Sequence, residues 1–282
     1  MQDLFENILK EKPSKITPIS GGDINEVYEV ESSKGVSVFK INDASRFPEM
    51  LALEANGLNK IASTNTVRTP EVLAHGVSGE RQFLQLEKIS TGNATSKTWQ
   101  QFGEALAKLH EHTHMQFGSD HSNYIGSLVQ QNNQTKTWTE FLITQRLQPM
   151  LELAVNQGDV NYVEAKIFDG FFNRVDELFP IEKPSLLHGD LWSGNFLTDA
   201  KKQPVLIDPA VYYGHREMDI AMMHLFGGFP ATVFDSYNES YPLEKHWQKR
   251  IELNQLYPLL VHVNLFGRSY WEKVRSIVEP FG

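Results

Sequence analysis

The chain has 282 residues, room for one large domain or two lobes, and 40% hydrophobic with 11% aromatic residues excludes a disordered chain. With 26 Lys plus Arg against 35 Asp plus Glu, the net charge of −9 argues against nucleic acid or an anionic membrane as the main partner. The absence of cysteine removes disulfides, thiolate metal sites and thiol switching, and no signal-peptide core or bilayer-length apolar run is present, which predicts a cytoplasmic protein.

After a short opening helix, Ile16-Thr-Pro-Ile and Ile24-Asn-Glu-Val-Tyr-Glu-Val30 flank Ser20-Gly21-Gly22-Asp23. The pattern predicts a strand, a glycine turn and a returning strand. Such a turn is either a plain hairpin or a loop whose bare amides approach a phosphate. In the next strand, alternation puts Val36, Val38 and Lys40 on one face and Ser37, Phe39 and Ile41 on the other. A lysine closing an apolar face needs an anion. The following helical stripe of Phe47, Met50, Leu51, Leu58 and Ile61 carries Glu54 within it, so Lys40 and Glu54 are expected to pair. A further strand, 82–89, runs into the small-residue stretch 90–94, where the hinge between an N-terminal lobe (1–89) and a C-terminal lobe (90–282) is expected.

The second lobe opens with the stripe Trp99, Phe102, Leu106 and Leu109, leading to His110-Glu-His-Thr-His114. These residues match H-E-x-x-H, but the extended zinc-protease pattern fails at Phe117 and Asp120, leaving Glu140 as the third-ligand candidate; the alternative is a histidine cluster suited to a helix C-terminus. Residues 118–137 read as a loop. Trp138, Phe141 and Leu142 open a helix bearing Arg146, on the surface or pointing inward, and the stripe Ile167, Phe171, Phe172, Val175, Leu178 and Phe179 predicts another.

The stretch 185–208 carries the chemistry. Leu186-Leu187 and Pro204-Val205-Leu206-Ile207 read as buried strands. His188, Asp190 and Asn195 follow the first, and Asp208 ends the second. An aspartate able to accept a hydroxyl proton, an asparagine five positions on and a second aspartate after a strand are the parts of a phosphoryl-transfer site. Downstream, Asp219 sits in the first turn of a helix, where it either favours the helix terminus or anchors amides of the catalytic loop. From Trp247 on, the tail repeats helical apolar spacing at Leu253, Leu256, Leu259, Leu260 and Val263.

Ser-Gly-Gly-Asp-Ile-Asn-Glu-Val-Tyr at 20–28, Val-Phe-Lys at 38–40, Phe-Gly with Asn-Tyr-Ile-Gly at 117–126, and Trp138 with Arg146-Leu-Gln-Pro149 resemble one family. So do Leu-Leu-His-Gly-Asp-Leu-Trp-Ser-Gly-Asn at 186–195, Ile-Asp-Pro-Ala at 207–210, Tyr-Gly-His-Arg-Glu at 213–217 and Phe-Gly-Gly-Phe-Pro at 226–230. That family is the fructosamine (ketosamine) kinases, of the protein-kinase-like fold shared with aminoglycoside phosphotransferases and choline kinases. The resemblance implies an α+β bilobal fold, with a small antiparallel-sheet N-lobe carrying one helix and a larger, mainly helical C-lobe. It implies ATP and Mg2+ as cofactors and transfer of the γ-phosphate to a sugar hydroxyl of a ketosamine, free or on protein lysine, with deglycation as the consequence.

Carried residue by residue, the resemblance makes Asp190 the catalytic base and Asn195 and Asp208 the magnesium ligands. Lys40 becomes the phosphate-binding lysine with Glu54 its partner, Gly21, Gly22 and Asn25 the phosphate loop, and Glu87, Lys88 and Ile89 the adenine hinge. Asp23, Trp192, Tyr213 and His215 are the substrate-side candidates, while His188 and Asp219 support the catalytic loop. Trp192 either stacks on substrate or packs in the core. Partners are a ketosamine substrate, with no nucleic acid and no membrane, and a monomer is expected. Two alternatives stay open: a phosphotransferase for another amino sugar or amino alcohol, and a nucleotide-binding pseudokinase.

Overall fold

In the computed structural model, which describes residues 1–19 and 24–282, contacts divide the chain into two units. The first comprises Met1–Thr98 and Phe196–Pro209; the second comprises Trp99–Asn195 and Ala210–Gly282.

The first unit is built on a five-stranded antiparallel sheet in the order β1-β2-β3-β5-β4. Its elements are α1 (Gln2–Leu9), β1 (Lys15–Ile19), β2 (Glu26–Ser32), β3 (Gly35–Asp43), α2 (Met50–Ser63), β4 (Val72–Ser78) and β5 (Arg81–Glu87). The two-residue period of β3 divides its side chains between two apolar layers. Phe39 and Ile41 pack with Val30 and with Phe5 of α1, the Phe5 and Phe39 rings meeting edge to face at 5.1 Å. Val38 joins Leu84 and Leu86 of β5 against Leu51, Ala55 and Leu58 of α2. Lys40 shares the Val38 face, the one that carries α2.

The short hairpin of Phe196–Thr198 and Pro204–Leu206 joins this unit through backbone bridges from Arg68 to Val205 and from Thr91 to Asp199. An Arg68–Asp199 ion pair at 3.2 Å reinforces the joint.

The second unit is mainly helical. Helix α3 (Ser96–His110) leads into it, and the helix Ile251–Phe266 runs through its core, with Leu256, Leu260 and Val263 wholly buried. The expected long helix over 167–179 is instead the short helices Phe168–Phe172 and Val175–Leu178. Gly170 lies so close to the Phe281 carbonyl that a Cβ there would meet it at 2.0 Å, a packing that the apolar stripe does not encode. The stretch 118–137 is not featureless either. It holds the hairpin Asn123–Ile125 and Leu128–Gln130, whose three-residue strands are too short to show a period. A second strand pair, Ser185–Leu187 with Tyr212–Gly214, leads into the stretch that holds His188, Asp190 and Asn195. Among the described residues no helix is long and apolar enough to cross a membrane.

Candidate active site

In the first unit, the residues expected to touch phosphate follow β1 in sequence, and Gly21, Gly22 and Asp23 lie outside the described residues. Asn25, just after them, is held by Asn42 of β3, whose Nδ2 donates to Asn25 Oδ1 at 2.7 Å. Two residues earlier on β3, Lys40 is 7% exposed, and its Nζ donates to Glu54 Oε1 at 2.7 Å and to Asp208 Oδ1 at 2.5 Å. Burial alone would lower the Lys40 pKa. The two carboxylates outweigh it and hold the pKa above the ordinary lysine value, so the ammonium stays charged. One cation thus serves two acids. Burial, helped by the Asp208 charge and opposed by Lys40, pushes the Glu54 carboxyl up to about 7. Asp208 holds φ at 56°, a left-handed conformation that costs a non-glycine residue about 1–2 kcal/mol.

Glu87 closes β5, with Lys88 and Ile89 following. The Glu87 carboxylate pairs with Arg68, and Lys88 pairs with Glu29. The side chains at the expected adenine hinge are therefore committed within this unit.

In the second unit the sequence after Ser185–Leu187 turns sharply at Gly189, with φ at 84°; a Cβ there would stand 2.1 Å from the Ala210 carbonyl. Asp219 of the helix Glu217–Leu225 reaches back to this turn. Its Oδ2 accepts from the His188 amide at 2.8 Å and its Oδ1 from the Gly189 amide at 2.9 Å. Although burial opposes ionisation, the His110 contact, with further help from His188 and the Gly189 amide, keeps the Asp219 pKa below the usual aspartate value. His110 itself is wholly buried, with Nε2 3.2 Å from Asp219 Oδ2 and Nδ1 2.8 Å from Tyr237 Oη. Both ring nitrogens are thereby used, which withdraws His110 from any zinc site.

Past the turn, Asp190 donates its backbone N–H to His188 Nδ1 at 3.3 Å. Asn195 then fixes the Asp190 side chain: its Nδ2 donates to the Asp190 carbonyl at 2.8 Å and to Asp190 Oδ2 at 3.0 Å. With its amide nitrogen so engaged, Asn195 has its amide oxygen to offer a cation. The Asn195 oxygen and the Asp208 carboxylate are hard donors of the kind magnesium takes, and Asp208 already holds a cation, the Lys40 ammonium.

Comparison with known proteins identifies the family. The profile of the fructosamine kinase family matches residues 2–281. The probable ketoamine kinase of Enterococcus faecium is 38% identical over 269 residues, which cover 95% of each chain. The chain belongs to the fructosamine kinase family. Its members are ATP-dependent kinases that phosphorylate sugar hydroxyls. The chloroplastic protein-ribulosamine 3-kinase of Arabidopsis thaliana is 33% identical over 276 residues, 95% of this chain and 82% of that one. A Thermobifida fusca crystal structure assigned as a fructosamine-3-kinase superposes with a TM-score of 0.88 at 31% identity, covering 99% of this chain and 97% of that one. An aminoglycoside phosphotransferase covers 99% of both chains with a TM-score of 0.63 at 16% identity, a likeness of fold alone.

The substrate-side candidates of this fructosamine kinase divide. Trp192 is 39% exposed; its ring lies over Gly194 and meets Phe226 edge to face at 6.1 Å, so it is not core packing. Tyr213 stacks on His114 at 4.8 Å. His215 must be corrected. It has no exposed surface, its ring packs against Trp138 and Phe179, and burial lowers its pKa despite nearby Glu217 and Glu182. It cannot touch a substrate and is a packing residue.

Residues that the sequence reading did not single out complete the picture. Asn42 stands two positions from Lys40, a period-2 signal that was available. Arg68 and Tyr237 carry none, because their partners are distant in sequence.

Proposed function

We propose that this fructosamine kinase transfers the γ-phosphate of ATP, as its magnesium complex, to a sugar hydroxyl of a ketosamine, destabilising the adduct so that the amine is released. The observation that carries the reading is the Asp190 carboxylate, fixed by the Asn195 amide on a loop whose turn is tied to the buried Asp219. A carboxylate so restrained is suited to orient a hydroxyl and accept its proton. Asn195 and Asp208 are the proposed metal ligands, and magnesium bound there would neutralise charge on the transferring phosphate. Lys40, kept protonated and steadied by Glu54, binds the α- and β-phosphates. Gly21, Gly22 and Asn25 form the phosphate loop, and the backbone of Glu87, Lys88 and Ile89 meets the adenine. Trp192 and Tyr213, with their exposed or half-buried aromatic faces, stand on the substrate side, as does Asp23.

We place the enzyme in the cytoplasm and expect it to act as a monomer. The test is product analysis: ATP, magnesium and a lysine ketosamine should yield a phosphorylated sugar and, after incubation, free lysine by mass spectrometry. ATP consumed with the ketosamine intact would reject the reading.

A further inference from the structure

Arg146 is a fully buried cation that this reading of the reaction leaves without a role. It lies on the π-helical turn Leu142–Leu147, with its guanidinium carbon 4.0 Å from the Tyr212 ring centroid, 4.5 Å from Phe141 and 5.1 Å from Tyr257. Among the described residues no carboxylate lies within ion-pair distance of it. A buried charge without a counter-ion is costly, so its hydrogen bonds must be numerous and fixed. Nη1 donates to the Gln131 and Gln145 carbonyls, and Nη2 donates to Asn132 Oδ1 at 2.7 Å.

From Asn132 the network runs toward the catalytic loop. Asn132 Nδ2 donates to Asn123 Oδ1 at 2.9 Å, and Asn123 Nδ2 donates to the Val211 carbonyl at 3.0 Å. Gln130 Nε2 donates to the same Asn123 oxygen at 2.8 Å and to the Ala210 carbonyl at 3.1 Å. Tyr257, against which Arg146 packs, donates from Oη to Gln130 Oε1 at 2.9 Å. Ala210 in turn donates its N–H to the His188 carbonyl at 2.9 Å, and its own carbonyl is the atom that Gly189 clears. The next residues, Tyr212 and Leu187, are paired in the short sheet.

We infer that Arg146 is a positioning residue for phosphoryl transfer, acting through Asn132, Asn123 and Gln130 to fix Ala210 and Val211 as the backstop of the Asp190 loop. The inference rests on the reading of Asp190 as the base. The guanidinium fork is essential to it: a lysine keeps the charge but cannot hold the Gln131 carbonyl and Asn132 in the same plane. Geometry set at such a distance from the chemistry is worth a large factor in rate, since about 1 Å of misplacement can cost 100-fold.

The test compares Arg146→Lys and Gln130→Ala with Arg250→Lys, a control that loosens the Glu217 ion pair of the same unit outside the network. Each variant is assayed well below its own melting temperature. Arg146→Lys and Gln130→Ala should lower kcat by about 10-fold to 100-fold with KM for ATP unchanged, while Arg250→Lys loses thermal stability and keeps kcat. Hydrogen exchange, read without any turnover, should quicken at the Gly189 and Ala210 amides in the first two variants only. Wild-type kcat and exchange in Arg146→Lys, or equal kcat losses in Arg250→Lys, would overturn the inference. Full activity of Asp190→Asn would instead overturn the reading beneath it.

Discussion

The Asp190 carboxylate is useful because it is restrained. Asn195 holds one of its oxygens at 3.0 Å, and the loop bearing it is tied by two amides to Asp219. Asp190→Asn should lower kcat by about 10²–10⁴ while ATP binding, measured by calorimetry, stays as in the wild type. Lys40→Met removes the cation that Glu54 and Asp208 share. Losing charge-assisted hydrogen bonds worth about 1.5–3 kcal/mol should weaken ATP binding by roughly 10- to 100-fold; unchanged affinity would contradict the phosphate role. The Lys40–Glu54 pair was legible because two local periods, 2 for the strand and 3.6 for the helix, each left one charged residue on an apolar face. Arg146 was not legible: its side chain is caged by Tyr212 and Tyr257, far along the chain, so spacing alone could not choose between surface and core.

At the scale of elements, the turn after Ser185–Leu187 depends on Gly189. Gly189→Ala meets both the Ala210 carbonyl and an unfavourable φ, so it should cost more than the about 1–2 kcal/mol of a left-handed residue, seen as a lower urea midpoint. The helix Glu217–Leu225 is entered through His215, whose pKa burial has lowered from the usual 6.5. The unfolded chain therefore binds a proton that the folded chain refuses, and stability falls as pH drops through about 6.5. His224 and His262, also lowered by burial, act in the same window. Asp219 and Glu182, held below their ordinary values, add their losses only at lower, carboxylate pH. Glu54, raised to about 7, works in the opposite sense in this window, so the histidine part is read by difference: the urea midpoint at about pH 7.5 minus that at about pH 5.5 should be smaller in His215→Gln than in the wild type. Helix ends were less legible than faces. The stripe at 167–179 has helical spacing, yet the chain leaves the helix at Asn173 and Arg174, and the close approach of Gly170 to Phe281 beside that break joins residues 111 positions apart.

At the scale of the molecule, the sequence motifs were enough for the α+β fold and the family, because the strands, the Lys40 face and the 185–208 stretch are local patterns. The grouping of Phe196–Pro209 with the first unit was not readable, since it depends on Arg68 and Thr91 pairing with residues more than a hundred positions away. That grouping puts Asp208 beside Lys40 while Asp190 and Asn195 stay with the second unit. The proposed chemistry is magnesium-dependent transfer of phosphate from ATP to a ketosamine. Its most direct measurement is magnesium-dependent ADP release with the ribulosamine and fructosamine of lysine, beside a panel of aminoglycosides. The account predicts turnover on the ketosamines and none on the aminoglycosides. ATP binding without turnover of either ketosamine, or activity confined to the aminoglycosides, would contradict it.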